Sequence, residues 1–157
     1  MNELPPSLAR AGLFAASELF LDIAHVATSY YKLDLESIWI LAVIGQETMR
    51  PWILDETLAA EHMSDQLVPP EIRGTISRRM VAEKTGLPRE TVRRRIALLE
   101  ARGLVVFDEH DRARLPGDRI VDPEMHKALR DLIVAVGRFG ERMRGLGAIA
   151  NRKADQT

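Results

Sequence analysis

The stretch Thr85–Val105 reads TGLPRETVRRRIALLEARGLV and places Arg89, Arg93, Arg94 and Arg95 on little more than two helical turns. Charges set so close repel one another unless something negative lies opposite, so the partner of this cluster is the first functional question. Val92, Ile96 and Leu99 recur at steps of four and three, which marks the buried face of a helix over Arg89–Ala101. At about 100° per residue, Arg89 and Arg93 share one line of that helix and Glu90 and Arg94 the next. All four lie away from the apolar stripe.

Working outward, Ile76, Val81 and Ala82 predict a preceding helix over about Ser77–Thr85, joined to the first through Gly86, Leu87 and Pro88. Two helices meeting across three residues have the dimensions of a helix-turn-helix. Ala82 lacks the bulk that would keep the second helix away, and Gly86 can take the positive φ the turn requires. Gly103 can end the second helix through a left-handed cap. LVVF (Leu104–Phe107), the polar DEHD, and RARL (Arg112–Leu115) then read as a β-hairpin. Helix, turn, helix and hairpin together predict a winged helix-turn-helix over residues 73–116.

The exposed N-terminal half of the second helix is the part that such a module inserts into the major groove of DNA. Arginine there can donate two hydrogen bonds to guanine, and glutamate can accept one from cytosine. Arg93 and Arg78 are expected on phosphates. Arg112 and Arg114 alternate along a strand, so both should leave one face of the hairpin toward phosphate or the minor groove. The bland reading of the helix is a weak surface ion pair from Glu90 to Arg94, one turn apart. That pair leaves Arg89 and Arg93 unexplained.

At these residues the chain resembles a known pattern. PRETVRRRI followed by ALLEARGLV is similar to the recognition helix of the catabolite-activator (CRP/FNR) family, which commonly reads Ser-Arg-Glu-Thr-Val-x-Arg. The resemblance implies that Arg89, Glu90 and Arg94 read bases and that Thr91 holds a phosphate. Pro88 stands where that family has a capping serine. Arg95 stands where it has an apolar residue, so its stem is expected to cover the core edge while its head reaches phosphate. The N-terminal β-roll of that family has no counterpart in residues 1–72, which read as helical. The overall layout resembles MarR-family regulators: a helical N-terminus, a winged helix-turn-helix, and a C-terminal helix for dimerisation.

Charge follows the same division. The net charge of −1 conceals three basic against eleven acidic side chains in residues 1–72, and eleven against six in residues 73–114. Residues 115–157 hold eight basic and six acidic side chains. A basic middle beside an acidic N-terminal part is an electrostatic footprint for a polyanion.

The flanks read as helices. Pro5 and Pro6 precede one over roughly Ser7–Tyr31, with Leu13, Ala16, Phe20, Ala24, Ala27 and Tyr31 at helical spacing. Asp34 can cap a second helix through Ile38–Ile44 that stops before Pro51. A third is expected over Asp55–Ser64, then a linker over Leu67–Gly74. Asp122 can cap a C-terminal helix with Pro123 at its first position and an apolar stripe of Leu129, Leu132, Ile133, Val136 and Phe139. Packed against the first helix, that stripe would build a two-fold interface. Glycine-rich GRFGERMRGLG (Gly137–Gly147) is read as a close helix crossing or fraying, and NRKADQT as a loose tail. The units are thus 1–72, a helical dimerisation and effector region; 73–116, the DNA-binding unit; and 117–157, a dimerisation helix and tail.

Other classes find little purchase. The chain has no cysteine, which excludes disulfides and thiolate chemistry. No phosphate-binding or hydrolase motif is present, and His25, His62, His110 and His126 are widely spaced, so neither catalysis, cofactor nor metal is expected. AGLFAAS (Ala11–Ser17) lacks the flanks of a signal peptide, and uninterrupted apolar runs fall short of about 18 residues, so a cytoplasmic protein without a membrane partner is expected. Trp39, Trp52, Tyr30 and Tyr31 read as core, or as the wall of a small-molecule effector pocket. The expected whole is a mainly α homodimer binding an inverted repeat in double-stranded DNA to regulate transcription. The alternatives are a winged-helix interaction adaptor that does not bind DNA, and a replication or partition factor.

Overall fold

Six α-helices and one two-stranded sheet are present in the computed structural model, which describes residues 5–64, 67–117 and 122–147. The chain is mainly α, as its periodicity requires. NRKADQT lies outside the described residues.

Helix α1 (Pro6–Tyr31) starts on a proline and ends where Lys32 turns left-handed, at φ 53°. It packs antiparallel along α6 (Pro123–Gly145), and Asp122 accepts from the Glu124 N–H to cap α6. Glu18 receives Arg142 at 2.6 Å, Asp22 faces Arg138 at 3.4 Å, and the Tyr30 hydroxyl donates to Asp122 at 2.7 Å. Ala15 and Ala135 are the fully buried positions of this pair. The stripe expected on α6 splits: Leu132 and Phe139 are half-buried, whereas Leu129, Ile133 and Val136 are exposed. Gly137 and Gly145 have no neighbour within 4 Å of a Cβ position, so neither is a close crossing within the chain. Glu18 and Asp22 broke the apolar run in the sequence, yet by length and composition α1 is long and apolar enough to cross a membrane.

Helix α2 (Leu35–Ile53) begins at Asp34, whose carboxylate accepts from the Ser37 N–H. Contrary to expectation it does not stop before Pro51 but carries that proline inside its last turn. The missing N–H frees the Glu47 carbonyl, and the backbone of Gly74 packs there. A Cβ on Gly74 would lie 2.1 Å from that oxygen, so only glycine fits, and its N–H donates to the Thr48 carbonyl at 2.9 Å. Helix α3 (Glu56–His62) is capped by Asp55 and buries no residue. The expected linker contains one 3-10 turn, Pro70–Ile72.

Ser77 caps α4 (Arg78–Thr85), and Gly86 closes it at φ 69°. Helix α5 (Arg89–Ala101) follows after Leu87 and Pro88. It ends as expected at Gly103, φ 65°, with the Leu104 N–H reaching back to the Leu99 carbonyl. Strand β1 (Val106–Phe107) pairs antiparallel with β2 (Ala113–Arg114) across a tight polar turn. Both strands are shorter than expected, and Leu104 and Val105 lie in the core ahead of the ladder. Ile76 adds a bridge to Ala113 on the other side, a pairing that its lone position after the linker did not reveal. One core joins these parts: Ile40, Leu41 and Ile44 of α2 meet Ile76, Val81, Val92, Ile96, Leu99, Val105 and Ala113.

Candidate nucleic-acid interface

Val92, Ile96 and Leu99 are completely buried, and this anchors α5 with one face outward. On that face Arg89, Glu90, Arg93 and Arg94 are all exposed and Thr91 is half-exposed. Pro88 occupies the N-cap position, and no side chain caps the helix. The structure therefore brings the expected base-reading residues together at one helix end.

Their pairings differ from expectation. Glu90 binds Arg93, not Arg94: Arg93 Nε reaches one carboxylate oxygen at 2.8 Å and Nη2 the other at 2.6 Å. That hydrogen bond from Arg93 holds the Glu90 carboxyl below the ordinary glutamate value. Glu90 is thus clasped rather than free to accept from a base. Arg89 and Arg94 make no hydrogen bond or ion pair among the described residues.

Arg95 is turned to the opposite side. Its guanidinium donates to Asp34 at 2.8 Å and to Glu36 at 2.9 Å, and its side chain is 26% exposed. Its head was expected on phosphate; here it is held by the acidic start of α2 instead. Seven residues further on, Arg102 Nη1 donates to the Tyr31 and Lys32 carbonyls at 3.2 and 3.1 Å. Arg95 of α5 and Arg102, which caps its C-terminus, therefore clasp the corner between α1 and α2, a cation at one helix's C-terminus and an ion pair at the other's N-terminus. Neither contact was visible in the sequence, since about 60–70 residues separate the partners. The surplus of acid in residues 1–72 was its sole trace.

The remaining basic residues are also engaged. Arg78 pairs with Asp111 and stacks over the Phe107 ring at 4.2 Å, which ties α4 to the hairpin turn. Arg112 donates to the Thr75 hydroxyl and carbonyl at 2.9 and 3.0 Å, and Arg114 to the Pro70 carbonyl at 3.3 Å. The hairpin arginines, expected on phosphate or in the minor groove, thus bond to the segment between Pro70 and Thr75, with Arg112 still exposed. Lys84 pairs with Glu47 and Arg79 with Glu83. Of the expected set, the exposed cations with no hydrogen bond or ion pair among the described residues are Arg89 and Arg94, the latter still close enough for its charge to help lower the Glu90 carboxyl.

A separate cavity of about 140 Å³ lies between α2, the linker and the exit of the hairpin. Tyr31, Met49, Trp52 and Leu115 wall it, with Arg73 at its edge. Trp39 is half-exposed and lies elsewhere, and Tyr30 borders the neighbouring cleft at Asp122. The four aromatics are therefore neither one core nor one pocket. No group of three or more metal-ligating side chains occurs among the described residues. Comparison of the chain with protein-family models, curated proteins and solved structures gave no match.

Proposed function

We propose that this chain is a winged helix-turn-helix regulator that binds double-stranded DNA sequence-specifically, as a homodimer on an inverted repeat. The observation that carries the reading is the pair Arg89 and Arg94, exposed and without a hydrogen bond or ion pair among the described residues, on the first turns of a helix whose other face is fully buried. A rigid helix presenting exposed guanidinium groups at its N-terminal end matches the chemistry of major-groove readout. On this reading the bend at Gly86 between α4 and α5 is the turn of the helix-turn-helix, and the β1–β2 hairpin is its wing. Arg95 and Arg102 serve this reading indirectly, because they fix α5 against the corner of the long helices.

In the groove, Arg94 and Arg89 donate to guanine. The solvated Glu90–Arg93 pair opens so that Arg93 takes a phosphate and Glu90 a cytosine amino group, with Thr91 on the backbone. Phosphate contacts supply affinity and the base contacts supply discrimination. The cavity beside Arg73 is the candidate seat of a small-molecule effector. Selection of bound sequences from random duplexes tests the proposal: enrichment of an inverted repeat with guanine in each half-site is the expected result. Failure to retain any duplex at low salt would leave the module as a protein-interaction adaptor.

A further inference from the structure

The cavity beside Arg73 draws its walls from segments far apart in the chain. Tyr31 ends α1, Leu41, Met49 and Trp52 belong to α2, Leu104 follows α5, and Leu115 follows β2. Val68 of the linker and Met125 of α6 complete the apolar lining. The cavity is not sealed. Val68, Arg73, Pro116 and Gly117 also border a neighbouring cleft along Pro69 and Pro70, which gives an approach from solvent.

Protein interiors pack to the density of organic crystals, and voids larger than a water molecule are few. This one measures about 140 Å³. Its size would admit several waters, but a buried water needs two to four polar partners. The wall offers little of that kind. The Thr48 hydroxyl donates to the Ile44 carbonyl at 2.8 Å and accepts from the Leu115 N–H at 3.0 Å. Arg73 Nη1 donates to the Leu115 carbonyl at 3.3 Å, and its side chain is engaged further, so its charge is not waiting for an anion. A carboxylate entering here would give up its hydration to apolar walls that return nothing. An apolar cavity of roughly 150 Å³, by contrast, stays dry and takes up one benzene.

We propose that this cavity binds one uncharged apolar molecule about the size of a single six-membered ring, with Tyr31 and Trp52 among its walls. The inference names the ligand class for the effector seat of the proposed function, and it rests on that reading only for its regulatory use. A guest would touch Leu104 and Leu115, where the chain leaves α5 and the hairpin, together with α2. It would thereby join the DNA-binding unit to the helix that carries it.

The chain has two tryptophans, so Trp39→Phe leaves Trp52, at the cavity wall, as the sole one. Bromobenzene is one ring with a heavy atom that quenches tryptophan on contact, and it is titrated into this variant without DNA. Saturable quenching is expected, reversed by benzene and not by benzoate. In the same background, Val68→Phe fills space from the linker side and should weaken the apparent affinity roughly tenfold or more. Val68→Ala removes bulk instead and should keep the quenching. Should Val68→Phe lose its helical circular dichroism, Val68→Ala and the two competitions carry the test. Quenching that rises linearly without saturation would overturn the site. Displacement by benzoate would overturn the uncharged class. Undiminished saturation in a folded Val68→Phe chain, or its loss in Val68→Ala, would place the ring elsewhere. Saturable quenching in a chain that retains no DNA would leave this site standing while the regulator reading fails, so the two are separable.

Discussion

The Arg95 guanidinium donates to the Asp34 carboxylate at 2.8 Å across 61 residues of chain, while the same carboxylate caps α2 through the Ser37 N–H. One acidic side chain therefore starts one helix and holds another. Burial pushes the Asp34 carboxyl up, but the Ser37 bonds and Arg95 outweigh it and leave the pKa lowered. Asp34→Ala is expected to cost about 0.5–2 kcal/mol for the cap alone. Asp34→Asn keeps a capping oxygen and should cost less, which urea unfolding of the two variants will resolve.

Acid should loosen the flanking helices. Glu18, held by Arg142, and Glu47, held by Lys84, both have lowered pKa values in the fold. A depressed carboxyl contributes stability that is complete above its unfolded value, about 4.3 for glutamate, and is lost as pH falls through the folded value. The unfolding midpoint should therefore be flat near neutrality and decline below about pH 4. Glu18→Gln should show a shallower decline than the parent chain; an equally steep one would remove the α1–α6 pair as a contributor.

Two glycines should respond oppositely. At Gly74 an added Cβ meets the Glu47 carbonyl oxygen, so Gly74→Ala is expected to destabilise by about 1–3 kcal/mol. Gly137 lies inside α6 with open space around it, so Gly137→Ala should stabilise by about 0.5–1 kcal/mol. Thermal unfolding of both variants checks the contrast.

The hairpin arginines should matter less to DNA than their alternation suggests. Arg112 and Arg114 are spent on Thr75 and Pro70, so alanine at either position is expected to leave the log–log salt slope of DNA binding unchanged. A fall of about one unit would mean that the side chain leaves the linker for a phosphate.

Elements with strong local signals were legible in the sequence. The bounds of α5, the left-handed Gly86 and the cap at Asp122 follow from spacing and from single residue types. What escaped was set by tertiary contact. Pro51 stays inside α2 because a glycine 23 residues later accepts the close approach of the freed carbonyl. The arginines of α5 look alike in sequence, yet Arg95 is removed from the exposed face by Asp34 and Glu36, and Arg93 is engaged by Glu90. Charge counting finds the cluster; only the fold sorts its members.

The measurement that bears most directly on the regulator reading compares base preference, position by position, for the parent chain, Arg94→Ala and Arg93→Ala. Arg94 makes no hydrogen bond or ion pair among the described residues, so its loss should cost about 1–3 kcal/mol on the best site and relax the preference at one base pair in each half-site. Arg93 should weaken good and poor sites alike. Uniform losses in both variants, with every base preference intact, would contradict the assignment of Arg94 as a reader, and unchanged binding in both would contradict DNA binding through α5.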